Sequence, residues 1–337
     1  MPDTAADGSA TIREIIRATW QFAAIRAFVS VGGPGQLRDG PLPVAELASR
    51  CGAHAPTLAR VLRSVAGTGL LRSSGSGGYE LTAAGQALLG GRELFSIRFN
   101  LDPEIAAALD ELTETIRTGR QPFLQRNASL YDYLATHPET SEAFDGLMVA
   151  DHGALAARLA GADELDDVAT VVDVGGGNGT FLAAILSAHP GMRGTLLELE
   201  RAVPAARQYL AARGVGDRSE VVAGDFFASV PAGADAYLLC HIIHNWDDDR
   251  AVRILSAVRA AAGAGRAKVM LVEAILPDDD SPHYGKDLDM RLLTLHSGRE
   301  RSGPEYSALL TAAGFAPGQI TDLAFGNCLI TASQPLR

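Results

Sequence analysis

Hydrophobic and polar positions divide this chain into two stretches of different periodicity. From residue 11, TIREIIRATWQFAAIRAFVS places Ile12, Ile15, Ile16, Trp20, Ala23, Ala24 and Ala27 at helical spacing, which predicts a helix with a wide apolar face. PVAELASRCGAHAPTLARVLRSVAGTGLLR predicts two short amphipathic helices around the tight turn CGAHAP. GSGGYELTAAGQALL then predicts a two-stranded wing and another helix. Helical patterns continue through DPEIAAALDELTETIRTG and SEAFDGLMVADHGALAARLAG. From residue 168 the short β-rich runs ATVVDVGGGNG, GTLLELE, SEVVAGDFF, ADAYLLCHII and AKVMLVEAIL alternate with helical stretches such as TFLAAILSAHP, AVPAARQYLAARG and RAVRILSAVRAAAG. Strand alternating with helix at this pitch predicts a mostly parallel sheet with helices on both faces. The expected fold class is α/β: a helical, winged-helix domain over residues 1–155 and a Rossmann-like domain over residues 156–337.

A winged helix first suggests DNA binding, but the charge does not support it. Residues 1–95 hold nine Arg against seven Asp plus Glu, and the candidate recognition helix APTLARVLRSVAG offers only Arg60 and Arg63. A DNA reader needs a basic surface to displace counterions, and the whole chain carries a net charge of -11. A scaffold or dimerisation role is expected instead, with neither nucleic acid nor an anionic membrane as partner. Hydrophobic residues at 47% and charged ones at 20% fit a soluble globular protein. No apolar run nears the roughly 20 residues of a membrane span, and the start MPDTAADGSA lacks a signal-peptide pattern. A cytoplasmic location is therefore expected. Cys51, Cys240 and Cys328 are odd in number and far apart, which leaves no disulfide framework and no CxxC metal site.

VVDVGGGNGTF ends a strand and opens a helix, the setting of a nucleotide-type loop. The dinucleotide pattern GxGxxG fails from Gly175, where Thr180 takes the third glycine's place, and again from Gly177, where Leu182 does. No Gly-Lys-Ser/Thr of a Walker loop is present either. What remains is Asp173 two positions before Gly175, with Gly177 and Gly179 following. That loop resembles the S-adenosylmethionine loop of class I methyltransferases. Glu198, followed by Leu199, falls about 20 residues further on at a strand's carboxyl end, where an acid bonds ribose hydroxyls. A third strand ends in Gly224, Asp225 and Phe226, suited to an adenine amino group and ring. Ligands of open α/β sheets sit outside the strands' carboxyl ends, so these segments share one crevice.

The fourth strand brings CHIIHNWDDD to the same crevice. Cys240 and His241 are expected within the strand near the cofactor loop, with His244 just past its end and the Asp247–Asp249 run capping the next helix. Zinc needs a third ligand near two suitably spaced histidines, and HxH, HExxH and CxxC patterns are all missing, so no metal is expected.

DVGGGNG, LELE, GDFF, HIIHNW, VEAILP and GRERS together resemble, in order and spacing, the winged-helix small-molecule O-methyltransferases. That family includes the plant caffeic acid type and bacterial enzymes that tailor aromatic polyketides, in secondary metabolism and antibiotic biosynthesis. The similarity runs from about Ile15 to Thr331. It implies S-adenosylmethionine as cofactor, a homodimer built through the N-terminal half, His244 as base, and Glu273 and Glu300 as the acids bracketing it. It also implies a substrate pocket between two helices. Phe144, Met148 and His152 match on the first, and Met290, Leu292, Leu293 and His296 on the second, with Asn245 beside the base. Trp20 and Phe22 are placed to reach the partner subunit's pocket. Asn245 stands where the family usually has Asp, and SGRERS replaces the commoner GGRERT. The expected reaction is methylation of a phenolic hydroxyl. Relatives drifted to decarboxylation or hydroxylation, and a ligand-sensing winged-helix regulator, are the alternatives.

Overall fold

The computed structural model describes residues 5–335 apart from 76, 264 and 266. The chain forms two compact units. One takes the chain up to Ala107 together with Leu134–Ala150, and the other takes Ala108–Tyr133 and the chain from Asp151 onward. The helix Pro138–Ala160 contributes to both. Residue 76, in the expected wing loop, lies outside the described residues.

The first unit opens with the helix Ala5–Ser30. Helices Val44–Arg50 and Ala55–Ala66 follow, joined by a short turn through Gly52 at φ 62. Strands β1 (Leu42–Pro43), β2 (Leu71–Ser74) and β3 (Gly78–Leu81) form a small antiparallel sheet in the order β1-β3-β2. The wing thus has a third strand, which the two-residue Leu42–Pro43 segment was too short to announce. The helix expected after it is a 3-10 turn, Ala84–Leu89. Phe28, Leu47, Leu58, Leu62, Val65 and Leu71 anchor this unit's core. Ile12, Ile15, Ile16 and Trp20 on the first helix are instead 60%, 63%, 47% and 70% exposed.

The second unit is built on a seven-stranded sheet. Its strands are β4 (Thr170–Val174), β5 (Arg193–Glu198), β6 (Ser219–Ala223), β7 (Ala236–Cys240), β8 (Lys268–Ala274), β9 (Ala316–Ala324) and β10 (Asn327–Ser333), in the order β6-β5-β4-β7-β8-β10-β9. The first five are parallel, and β10 runs antiparallel to both neighbours. Side chains alternate across this sheet, as a strand's period of two requires. Val171, Leu196, Leu238 and Val272 join the core on one face, with Phe181 and Leu210 from the helices Thr180–Ala188 and Val203–Ala212. Val172, Leu197, Leu239 and Leu271 join the other, with Ile254 and Leu310 from Asp248–Ala262 and Gly303–Ala312. Burial on both faces explains the near-continuous apolar runs of β4, β7 and β8. It also fixes where polar groups can appear, namely at the strands' carboxyl ends. Among the described residues no helix is long and apolar enough to cross a membrane.

Candidate active site

The glycine loop begins where β4 ends. Gly175, Gly177 and Gly179 have φ of 72, 59 and 87, a left-handed backbone that side chains rarely adopt. A Cβ on Gly177 would project into open space, whereas one on Gly175 would come 2.7 Å from Ile242 and 3.3 Å from Phe226. The loop is held from the next strand: Gly177 N–H donates to Glu198 Oε2 at 3.1 Å, and Leu199 N–H to Oε1 at 2.8 Å. Leu199 itself is 42% exposed. At the end of β6, Asp225 Oδ1 accepts from Phe227 N–H at 2.8 Å, and Phe226 packs on Phe227 and Trp246. Glycines open to a close approach, an acid at the β5 end and an aromatic ring beside Gly175 fit a nucleoside-bearing cofactor. Gly224 continues the set, its N–H donating to Glu198 O at 2.9 Å.

Asp173 lies differently from its neighbours. It is completely buried, a Cβ on Gly176 would meet its Oδ2 at 2.3 Å, and neither carboxylate oxygen makes a hydrogen bond of ordinary geometry among the described residues. Burial, reinforced by the charge of Glu198, pushes its pKa up to about 7. Asp173 therefore presents no accessible surface; it sits beneath the loop. Cys240 is likewise buried, and burial first, then the charges of Asp173 and Glu273, raise its thiol well above the usual range.

Strand β7 stops at Cys240, three residues before the expected end at Ile243, so His241 lies just past the strand and not within it. The reason is local, since His241 has φ 52 and a left-handed residue cannot continue the pleat. Its N–H still donates to Val272 O at 2.9 Å, and its carbonyl accepts from Asn245 Nδ2 at 2.9 Å. Asn245 thus fastens the turn that carries the two histidines. Asn245→Asp replaces this donor with a carboxylate facing a carbonyl, and is expected to lower kcat/KM about tenfold with a smaller change in melting temperature, read by steady-state kinetics beside a thermal melt.

His244 lies in a short 3-10 turn, Ile243–Asn245, and is only 6% exposed. Its Nδ1 is 2.7 Å from Glu300 Oε1 and 3.5 Å from Glu273 Oε2. Glu273, on β8, is fixed by accepting at Oε1 from the N–H groups of Ile242 and Ile243 at 3.2 and 2.8 Å. Glu300 is placed by its own N–H, which donates to Asp289 Oδ1 at 2.7 Å. Burial disfavours a charge on His244, but the Glu300 and Glu273 carboxylates outweigh it and hold its pKa up at about 9. Burial raises Glu273 to about 7 despite the nearby imidazole.

His152, His241 and His244 stand in a row. The rings of His152 and His241 stack with centroids 5.1 Å apart, and His241 is 5.2 Å from His244. Burial drives His152 down to about 4 and His241 well below its usual value, so both are neutral donor–acceptors. His296, lowered by burial to about 3, packs edge-on to Tyr131 at 5.9 Å. Asn245, Trp246, Tyr131 and His296 border a small cavity of about 50 Å³, space for a water or two. Of the other expected substrate positions, Leu292 is buried, Leu293 half-buried and Met290 42% exposed. Phe144 and Met148 belong to the first unit, where Phe144 packs on Phe99 at 5.7 Å.

Three residues that the sequence pattern did not flag shape this site. Arg301 is fully buried; it donates to the carbonyls of Ile243 and Trp246 at 3.3 and 2.8 Å and to Asp248 Oδ1 at 2.7 Å, so it ties the His244 turn to the Glu300 segment. Gly298 lets the same segments touch, since a Cβ there would fall 2.0 Å from His244 O and 2.3 Å from Trp246 N. Tyr131, whose pKa burial pushes to about 12, reaches His296 from a segment with no motif. The GRERS run carried the only usable signal for the first two. His241, His244 and Glu273 also present ligand-type atoms within 4.8 Å of one another. The sequence expectation of no third ligand considered neighbours along the chain, whereas Glu273 arrives from the adjacent strand.

Comparison with known proteins adds to this geometry. Residues 109–316 match the O-methyltransferase domain and residues 14–91 the O-methyltransferase dimerisation domain. The chain is 37% identical over 322 residues to the mitomycin biosynthesis 6-O-methyltransferase of Streptomyces lavendulae, covering 93% of this chain and 91% of that one. The solved structure of the mitomycin 7-O-methyltransferase superposes with a TM-score of 0.91 at 33% identity, over 98% of both chains. An O-methyltransferase from neocarzinostatin biosynthesis, solved with S-adenosylmethionine and 2-hydroxy-5-methyl naphthoic acid, gives a TM-score of 0.81 at 32% identity, over 93% of this chain and 96% of that one.

Proposed function

This chain belongs to the S-adenosylmethionine-dependent O-methyltransferase family, and we propose that it methylates a phenolic hydroxyl of an aromatic, polyketide-derived natural product with His244 as proton acceptor. The observation that carries this reading is the buried His244 held through Nδ1 by Glu300 at 2.7 Å, at the same sheet edge as the glycine loop. S-adenosylmethionine, when bound, supplies an electrophilic methyl group on a sulfonium. Gly175, Gly177, Glu198, Leu199, Gly224, Asp225, Phe226 and His241 are the residues assigned to hold it, with Asp173 and Cys240 bracing the loop from below.

The acceptor's chemistry sets what His244 must do. A phenol of pKa about 10 is a poor nucleophile until its proton leaves. Imidazole can take that proton at Nε2, because Glu300 engages Nδ1 and so fixes the tautomer and steadies the imidazolium that forms. Holding the oxygen in line with the methyl group supplies the other large part of the rate. His152, Asn245, Met290, Leu293 and His296 are assigned to position the aromatic ring, joined by Leu292 from the family pattern. The neutral imidazoles of His152 and His296 suit a substrate carrying further hydroxyl or carbonyl groups.

The exposed apolar positions Ile12, Ile15, Ile16 and Trp20 support a homodimer formed through residues 1–155, with Trp20 and Phe22 extending to the partner's substrate pocket. Residues 156–337 then carry cofactor and base.

The pH dependence tests the role of His244. Only the neutral imidazole accepts a proton, so kcat/KM is expected to rise with pH through about 9 and level off above it. Glu300→Gln removes the strongest group raising that pKa, and should move the limb to lower pH while reducing the plateau. An unmoved limb counts against His244 as the titrating base. The same shift affects stability. The folded state binds the His244 proton more tightly than the unfolded chain does, so this contribution is full below pH about 6.5 and is lost as pH rises through about 9.

A further inference from the structure

The two carboxylate oxygens of Glu273 are held differently. Its Oε1 is fixed by the N–H groups of Ile242 and Ile243, while Oε2 is buried and makes no hydrogen bond of ordinary geometry among the described residues. Oε2 is instead the ion-pair partner of the His244 ring. That oxygen stands 3.5 Å from His244 Nδ1. Two ligands of a tetrahedral ion at ~2.0–2.1 Å stand roughly 3.3 Å apart, so the same spacing suits a shared metal ion once Nδ1 releases to solvent the hydrogen it gives Glu300. His241 completes the set, its ligand nitrogen within 4.8 Å of the other two. Its left-handed backbone, fastened by Asn245, turns the chain so that both histidines and Glu273 converge.

We propose that His241, His244 and Glu273 bind one zinc-type divalent ion in the cofactor-free enzyme, and that its binding stops methyl transfer. Two imidazoles and one carboxylate are the donors that zinc and its first-row neighbours favour over magnesium or calcium. The inhibitory half rests on His244 being the proton acceptor. A neutral imidazole has a single ring lone pair free to bond; once either nitrogen gives it to a metal ion, the other nitrogen carries the hydrogen. No proton can then be accepted from a phenol. Two of the ion's donors come from the turn after β7, whose Ile242 lies beside Gly175 of the glycine loop, so the site is an off-state of the reaction centre and not a structural knuckle.

Calorimetric titration of metal-stripped, full-length protein with Zn²⁺ tests this without relying on activity. One ion per chain is expected. Binding should weaken more than about tenfold in His241→Asn, which tolerates the left-handed backbone but lacks the imidazole, and in Glu273→Gln, which keeps a carbonyl oxygen for the two N–H groups. Cys51→Ser should bind as the unaltered protein does. Turnover should fall in step with occupancy and return on adding EDTA. Absence of saturable binding, equal affinity in both variants, loss of binding in Cys51→Ser, or full turnover at saturation would each overturn the proposal. Turnover of a His244→Gln variant in metal-free buffer reports separately on the base, so failure of that role is distinguishable from failure of the metal site.

Discussion

Replacing His244 by glutamine or alanine is expected to lower kcat at least ~100-fold while S-adenosylmethionine affinity changes by no more than a few-fold. General-base assistance typically contributes 10²- to 10⁴-fold, and neither replacement can accept a phenolic proton at neutral pH. The two variants differ in what they leave behind. Alanine leaves Glu273 and Glu300, both fully or almost fully buried, without the imidazolium that pairs with each of them, and one of them must take up a proton or the turn must shift. Glutamine retains an N–H for Glu300 and so preserves the packing. If His244 only held the turn together, glutamine would restore most of the activity that alanine loses. If it is the base, both variants fail alike, and only alanine shows a marked change in melting temperature. Turnover, cofactor titration and thermal melts on the same preparations separate these cases.

The second large effect is expected from one methyl group. In Gly298→Ala the new Cβ would stand 2.0 Å from His244 O, 2.3 Å from Asn245 C and 2.3 Å from Trp246 N. All three are backbone atoms, so no side chain can rotate away, and one of two segments has to move. The segment carrying Gly298 is held by Arg301 and by the bond from Glu300 N–H to Asp289. The opposing turn is held by Glu273 and by the Asn245 bond to His241. Separation of the two therefore opens the His244 to Glu300 pair. Overpacking of this kind costs about 1–3 kcal/mol, and kcat should fall at least ~10-fold through misplacement of the base. A variant that melts and turns over as the unaltered enzyme does would show that the two segments are not in contact.

Sequence reasoning reached the parts of the site that follow strand ends. Glu198, Asp225 and His244 share one crevice in the sequence pattern because each follows a β-rich run of a doubly covered sheet, and that rule is local. The alternation of strand and helix also read correctly, since β4, β7 and β8 are buried on both faces. Strand β9 escaped because it is an edge strand with mostly exposed side chains and no apolar run to mark it. Arg301, Gly298 and Tyr131 escaped for another reason. Their roles depend on contacts between segments distant in sequence, such as Arg301 with Ile243 and Trp246, and no spacing rule carries that information. His241 illustrates a third kind of gap. Apolar neighbours extended its strand on paper, but a backbone φ of 52 ends it in space and brings the imidazole beside His244.

Incubating the purified protein with methyl-labelled S-adenosylmethionine and a panel of polyhydroxylated aromatic compounds asks whether a phenolic oxygen receives the methyl group. Label is expected on the hydroxyl oxygen of at least one compound, in an amount that matches the cofactor consumed and disappears in His244→Gln. Tight cofactor binding with no label transferred to any phenol, or transfer undiminished in His244→Gln, would contradict the account.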